Sequence, residues 1–258
     1  MDVPFLGLPT VALVRDLVGN GWRRLSLRQR FYRARARHFS AVVVPSVASR
    51  DALKLTGLKS WRMHIIPEHI DVPTVVSAPE GAVLRLVHAG RIHPGKAQHL
   101  SIDAVSRLPS TAKARVHLDI VGASTDRVYV DQLRIAARGQ PIAIHTDVEA
   151  VGPFIDGAHL VLYPTSLAEG FADVALMAMA RGRPVIWSDH PGVRATTGGV
   201  GVPIRPDDVG ALRDAILRHI DDRAGLLAMG SASLGVARRH DWGQIASRWE
   251  SVLEVATR

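Results

Sequence analysis

Short apolar runs, each closed by a turn-forming residue and followed by a stretch of helical period, recur along almost the whole sequence. This alternation constrains the fold more than any other feature. The runs are Pro9–Val14, Ala41–Val44, Met63–Ile66, Leu84–His88, Arg115–Val121, Pro141–His145, His159–Tyr163 and Pro184–Trp187, with a shorter segment at Gly201–Ile204. Helices are expected at about 22–38, 46–56, 96–108, 127–138, 149–157, 171–181 and 207–222, with a weaker one after Asp189. A final amphipathic helix, Gln244–Thr257, places Ile245, Trp249 and Leu253 four residues apart. Strands apolar along their length and separated by helices form parallel sheets covered on both faces. The expected fold class is therefore α/β, doubly wound and Rossmann-like, with ligands where strand C-termini meet helix N-termini. The proline-rich stretch Asp71–Gly81 reads as a linker between an incomplete first part, 1–72, and a complete nucleotide-binding part, 83–239. Three strands and two helices in the first part are expected to leave a sheet edge or core face uncovered unless something else packs there.

The chain has no cysteine, which excludes disulfides, thiolate metal sites and cysteine nucleophiles. Its start lacks the pattern of a secretory signal and no run is apolar for long enough to span a bilayer, so a soluble cytoplasmic protein is expected. A formal net charge of +8 favours an anionic partner without choosing among a phosphorylated small molecule, an acidic membrane and nucleic acid. Much of that charge lies in the predicted helix Trp22–His38, where seven arginines are interleaved with Leu25, Leu27, Phe31 and Tyr32. A solvated basic face and contact with an anionic membrane surface both fit this pattern. Nucleic acid is the least supported partner, since only 5% of residues are aromatic and no recognition module is present.

Two loops at predicted strand C-termini could carry chemistry. In AGRIHPGKA, Ala89–Ala97, Arg91 and Lys96 lie five residues apart across a Pro-Gly turn and can converge on a diphosphate, or can be ordinary loop cations. In PTSLAEGFADVALMAM, Pro164–Met179, a turn leads into a helix whose first turn is expected to carry Glu169, Gly170 and Phe171. Free backbone N–H groups there suit an anion, and Glu169 can face a sugar hydroxyl or simply complement the helix dipole. Dinucleotide, Walker-type and Gly-x-Ser-x-Gly motifs are absent, and the twelve histidines form no metal pattern. Only His93, inside the basic loop, suggests a phosphate neighbour.

Taken in order, GRIHPGKAQHLSIDA (Gly90–Ala104), LDIVGAS (Leu118–Ser124) and YPTSLAEGFADVALMAMARGRPVI (Tyr163–Ile186) resemble the GT-B glycosyltransferases of family 4. The upstream ARHFSAVVVPSVASRDAL resembles the end of that family's N-terminal domain. The closing 240–258 resembles the helix that returns to brace it. The resemblance implies a retaining, hexosyltransferase-like enzyme that uses a nucleotide-sugar as substrate, with no metal and no further cofactor. It assigns Arg91 and Lys96 to the donor diphosphate and Glu169 to the transferred sugar. Backbone N–H groups of Gly170, Phe171 and Ala172 would lie near phosphate or sugar, with Gly90 at the same loop and Gly122 and Val148 near the base.

The sequence departs from the family at three places. Met177 stands where the family has the acid that holds the ribose hydroxyls, and a thioether does not replace those bonds. Arg15 stands where a histidine ends the family's corresponding strand, and arginine cannot serve as a base at neutral pH. The sequence also enters the family's N-terminal domain partway, so a partner protein or a second copy is expected to complete the acceptor side. The expected function is transfer of a sugar from a nucleotide-sugar to an unidentified acceptor, for glycan biosynthesis, peripheral to the inner membrane face if the arginine helix meets lipid. The alternative is a non-catalytic binding or regulatory subunit with the same fold.

Overall fold

A computed structural model of the chain describes residues 10–14, 39–54 and 62–257. The predicted Trp22–His38 helix and Arg15 lie outside the described residues. Each apolar run contains a strand, and the strands fall into two parallel sheets. β1 (Val11–Leu13), β2 (Ala41–Val44) and β3 (Met63–Ile65) form a small sheet in that order. The large sheet consists of β4 (Leu84–Ala89), β5 (Val116–Gly122), β6 (Ile142–Thr146), β7 (Leu160–Tyr163), β8 (Val185–Ser188) and β9 (Val202–Ile204), in the order β6-β5-β4-β7-β8-β9. This is the doubly wound order, and it reverses between β4 and β7. The chain leaves those neighbouring strands in opposite directions, which opens a crevice at their C-terminal ends.

Ten helices are described: α1 (Val47–Lys54), α2 (Gln98–Ser106), α3 (Ser110–Lys113), α4 (Arg127–Ala136), α5 (Gly152–Gly157), α6 (Asp173–Ala180), α7 (Pro191–Thr197), α8 (Val209–His219), α9 (Arg223–Ala237) and α10 (Trp242–Thr257). Alternate residues of each central strand enter opposite cores, as the pleat requires. Leu84, Leu86, Leu118 and Ile120 meet Ile102 of α2, Leu133 of α4 and Leu212 of α8. Val87, Ala89, Val121 and Val161 meet Leu176 and Met179 of α6 and Val236 of α9.

The small sheet is covered on both faces, with the layer that its own strands and helices lack coming from elsewhere in the chain. Val42, Val44 and Met63 pack with Leu53 of α1. Ala41, Val43 and Ile66 pack with Ile245, Val252 and Ala256 of α10, so the last helix of the chain supplies the missing layer. The predicted linker is also tied down: the buried Arg183 donates to the carbonyl of Ser77 at 2.6 Å, and Ile70 N–H donates to His240 O at 2.9 Å.

Helix α9 is absent from the sequence-based reading because Gly225, Gly230 and Gly235 dilute its period. Two tertiary features account for it. The Asp222 carboxylate accepts from Gly225 N–H at 2.8 Å and caps its first turn. Gly230 sits so close to α6's exit that an added Cβ would lie 2.3 Å from Gly182 O. Gly235 has nothing within 4 Å of an added Cβ. Gly230→Ala is therefore expected to destabilise the chain by about 1–3 kcal/mol through overpacking, and Gly235→Ala to stabilise it by about 0.5–1 kcal/mol. Urea unfolding of the two variants checks this, and the opposite order would contradict the packing account.

Candidate functional site

The first loop of the crevice follows β4. Gly90 has φ +127°, and its N–H donates to Val121 O at 2.9 Å, while Ile92 N–H donates to Ala123 O at 2.9 Å. The loops after β4 and β5 thus run in backbone contact. An added Cβ on Gly122 would lie 1.9 Å from Gly90 O, so Gly122 has a packing requirement of its own. Pro94–Lys96 then forms a 3-10 turn in which His93 Nδ1 accepts from Gly95 N–H at 3.0 Å, and Ala97 breaks into the left-handed region before α2. Fully buried Gln98 clamps the turn: its Nε2 donates to Arg91 O at 3.0 Å and its Oε1 accepts from His93 N–H at 3.4 Å. This rigid turn carries Lys96 toward the second loop. Arg91 remains exposed, and among the described residues its guanidinium takes no partner.

The second loop follows β7 and is stitched to the first. Gly95 O accepts from Ser166 N–H at 3.1 Å and Thr165 Oγ1 at 3.2 Å. Lys96 Nζ donates to Glu169 Oε1 at 2.6 Å, and Thr165 Oγ1 reaches the same oxygen at 2.9 Å. The Tyr163 hydroxyl donates to Glu169 Oε2 and accepts from Lys96 Nζ at 3.5 Å. The two charged side chains are only 21% and 11% exposed, so their attraction is poorly screened. Burial, reinforced by the Glu169 charge, pushes the Tyr163 phenol well above the usual tyrosine range, so it keeps its proton and serves as a hydrogen-bond donor.

Backbone contacts fix the rest of this loop. Ser46 Oγ donates to Gly170 O at 2.7 Å, with Ser49 Oγ at 3.4 Å, joining α1 of the small sheet to the crevice. Gly192 lies against the loop so closely that an added Cβ would be 1.8 Å from Glu169 O. Two sequence expectations change here. Glu169, Gly170 and Phe171 lie in the loop, since α6 starts at Asp173. The Ala172 N–H, expected to face a ligand, donates instead to Thr196 Oγ1 at 3.0 Å. Phe171 is buried against the His240 ring, 5.7 Å between centroids. Val148 and Met177 are partly buried and pack against one apolar cluster, which also holds Tyr163 and Phe171.

Arg91, Lys96, Glu169 and Gly90 are thus brought to one sheet edge, and Tyr163, Thr165, Gln98 and Ser46 are the neighbours that sequence reading overlooked. Tyr163 and Thr165 flank the turn proline of the second loop, which was a usable signal. Nothing in the sequence marks Gln98 or Ser46 for these contacts, which are made to backbone groups: Arg91 O and His93 N–H for Gln98, and the distant Gly170 O for Ser46. His93 has its Nδ1 engaged within its own turn.

A doubly wound sheet with Arg91, Lys96 and Glu169 at its switch point, joined to a smaller parallel sheet, defines an α/β protein with a crevice lined by charged groups. Residues 84–222 match the family described as glycosyl transferases group 1, more than half of the chain, and the chain belongs to that family. Among solved structures it is similar to HepE of Anabaena in complex with UDP and glucose, with a TM-score of 0.82 and 22% identity over 95% of this chain and 71% of that one. It is also similar to WaaG, a glycosyltransferase involved in lipopolysaccharide biosynthesis, with a TM-score of 0.74 and 17% identity over 96% and 75%. A UDP-forming α,α-trehalose-phosphate synthase from Burkholderia vietnamiensis gives 0.79 and 13% over 97% and 68%. These likenesses establish the GT-B fold. No curated protein matches the chain.

Beneath the first loop, His88 is buried with Nδ1 2.8 Å from Ser101 Oγ. Burial, and next the Lys96 charge, lower its pKa to about 3, and burial lowers that of His159 to about 4. Both are neutral when folded but bind a proton below about 6.5 when unfolded. Their contribution to stability is complete above that value and is lost as pH falls from about 6.5 toward 4, by up to about 1.4 kcal/mol per pH unit for each. Urea midpoints measured across this range are expected to fall with pH; a flat profile would contradict the neutral assignment.

Proposed function

We propose that this chain binds a nucleotide-diphosphate sugar at the crevice between β4 and β7 and transfers the sugar to an acceptor. The observation that carries this reading is the meeting of Lys96 and Glu169, 73 residues apart in sequence and 2.6 Å apart in space, at the crevice whose first loop also carries the exposed Arg91. Arg91 and Lys96 would take the diphosphate and stabilise the charge that develops on it as the sugar leaves. Glu169 would face the transferred sugar. Attack by the acceptor on the face that the diphosphate vacates gives the retaining outcome. The UDP complexes of HepE support a uridine donor.

Titration calorimetry with UDP and UDP-glucose tests the donor site. Removing Lys96 or Arg91 as alanine variants is expected to cost about 1.5–3 kcal/mol, roughly ten- to hundredfold in affinity. Equal binding by the unmodified chain and both variants would refute the assignment. A second reading, a non-catalytic binding subunit, is favoured by Met177, which offers an apolar side chain where a ribose-binding acid would stand. UDP binding without donor hydrolysis or transfer would select that reading.

The charge distribution supports an anionic membrane surface as a further partner. The stretch 15–38 holds eight arginines against one aspartate, close to the entire formal excess of +8, together with Trp22, Phe31 and Tyr32. No helix among the described residues is long and apolar enough to cross a membrane, so contact would be peripheral. In flotation assays the chain is expected to rise with phosphatidylglycerol-containing vesicles and to be released by salt. Equal behaviour with neutral vesicles would remove the membrane reading.

A further inference from the structure

We propose that the Lys96–Glu169 ion pair is a latch which an incoming diphosphate opens, and that Tyr163 is the positioning residue that holds Glu169 in place once Lys96 has left it. The inference rests on the donor reading above and adds to it an order of partners. Glu169 and a diphosphate would compete for one ammonium group. Lys96 has three donors on a flexible four-carbon stem, and a diphosphate offers more charge and more acceptors than one carboxylate.

The difficulty lies with Glu169. Its side chain is 11% exposed, and a carboxylate that loses its cation in such a place is destabilised unless other donors remain. Two remain. The single hydrogen of the Thr165 hydroxyl is shared between Glu169 Oε1 and Gly95 O, at 2.9 and 3.2 Å. The Tyr163 hydroxyl is 3% exposed at residue level and has Glu169 as its one acceptor. The Tyr163 ring ends strand β7 inside the second core and cannot follow Lys96 outward. The mobile member of the triad is therefore the lysine, and the tyrosine keeps the carboxylate where the sugar would be met.

This arrangement fixes the signs of three changes. Glu169→Gln removes the internal competitor and should tighten binding of inorganic pyrophosphate and UDP by about threefold or more. Tyr163→Phe keeps the ring but leaves Glu169 more dependent on Lys96, and should weaken binding of both by about two- to tenfold. Placed in the Glu169→Gln background, Tyr163→Phe should have no effect, whereas a tyrosine that only supports the fold would weaken binding in both backgrounds.

The test is calorimetry of the four proteins, unmodified, Glu169→Gln, Tyr163→Phe and the double variant, with pyrophosphate and with UDP, after circular dichroism has compared their folds. Arg91→Ala serves as the control. If the unmodified chain binds neither probe, the donor reading and the latch fall together. If Arg91→Ala weakens binding but Glu169→Gln does not tighten it, or Tyr163→Phe acts equally in both backgrounds, the latch alone is overturned. Should Tyr163→Phe not fold, the sign of the Glu169→Gln effect decides by itself.

Discussion

Adjacent parallel strands whose loops depart in opposite directions need something besides the sheet to hold those loops at a fixed distance. In this chain the Gly95 carbonyl, the Lys96–Glu169 ion pair and the hydroxyls of Tyr163 and Thr165 do so. The contact depends in turn on Gly122 and Gly192, where any side chain would strike a backbone oxygen. Without that close approach the charges would sit in solvent, where an ion pair contributes little. The charged groups of the crevice are thus also part of what sets its width.

The small sheet takes part in the same arrangement. Its helix α1 grips Gly170 O through Ser46 and Ser49, and α10, which covers its other face, follows directly on His240, the ring against Phe171. Movement of the small sheet against the large one would act on the loop that carries Glu169. In a glycosyltransferase this couples the two sides of the cleft through two serine hydroxyls and one aromatic contact. Both serines are nearly fully buried, so the coupling works by direct hydrogen bonding with little competition from water.

Most of the architecture was legible because apolar strands such as Ala41–Val44 and Leu160–Tyr163 are buried on both faces and announce themselves as continuous runs. Arg91, Lys96 and Glu169 stood out at the ends of predicted strands, but their spacing fitted ordinary loop cations and a helix-dipole acid equally well, and only the family resemblance gave them roles. Helix α9 was not legible, since its glycines dilute the helical period and Gly230 serves a close approach to Gly182 that no local period encodes. Nor was the break at Ala97, whose left-handed backbone ends the turn that presents Lys96. The start of α6 was misplaced by two residues because Ala172, with no capping side chain, gives no local stop signal.

The sequence by itself determined the doubly wound class, the strand positions and the charges at the crevice, because hydrophobic period and residue type are local properties of the chain. Tertiary structure alone decided that Lys96 and Glu169 neutralise each other, that Tyr163 and Thr165 complete the carboxylate's shell, and that the Ala172 amide is unavailable to a ligand. It also set which side chains of α10, the bracing helix expected from the resemblance, meet the small sheet. These depend on distances between residues far apart in the chain, and only the packing of the two sheets and their loops sets those distances.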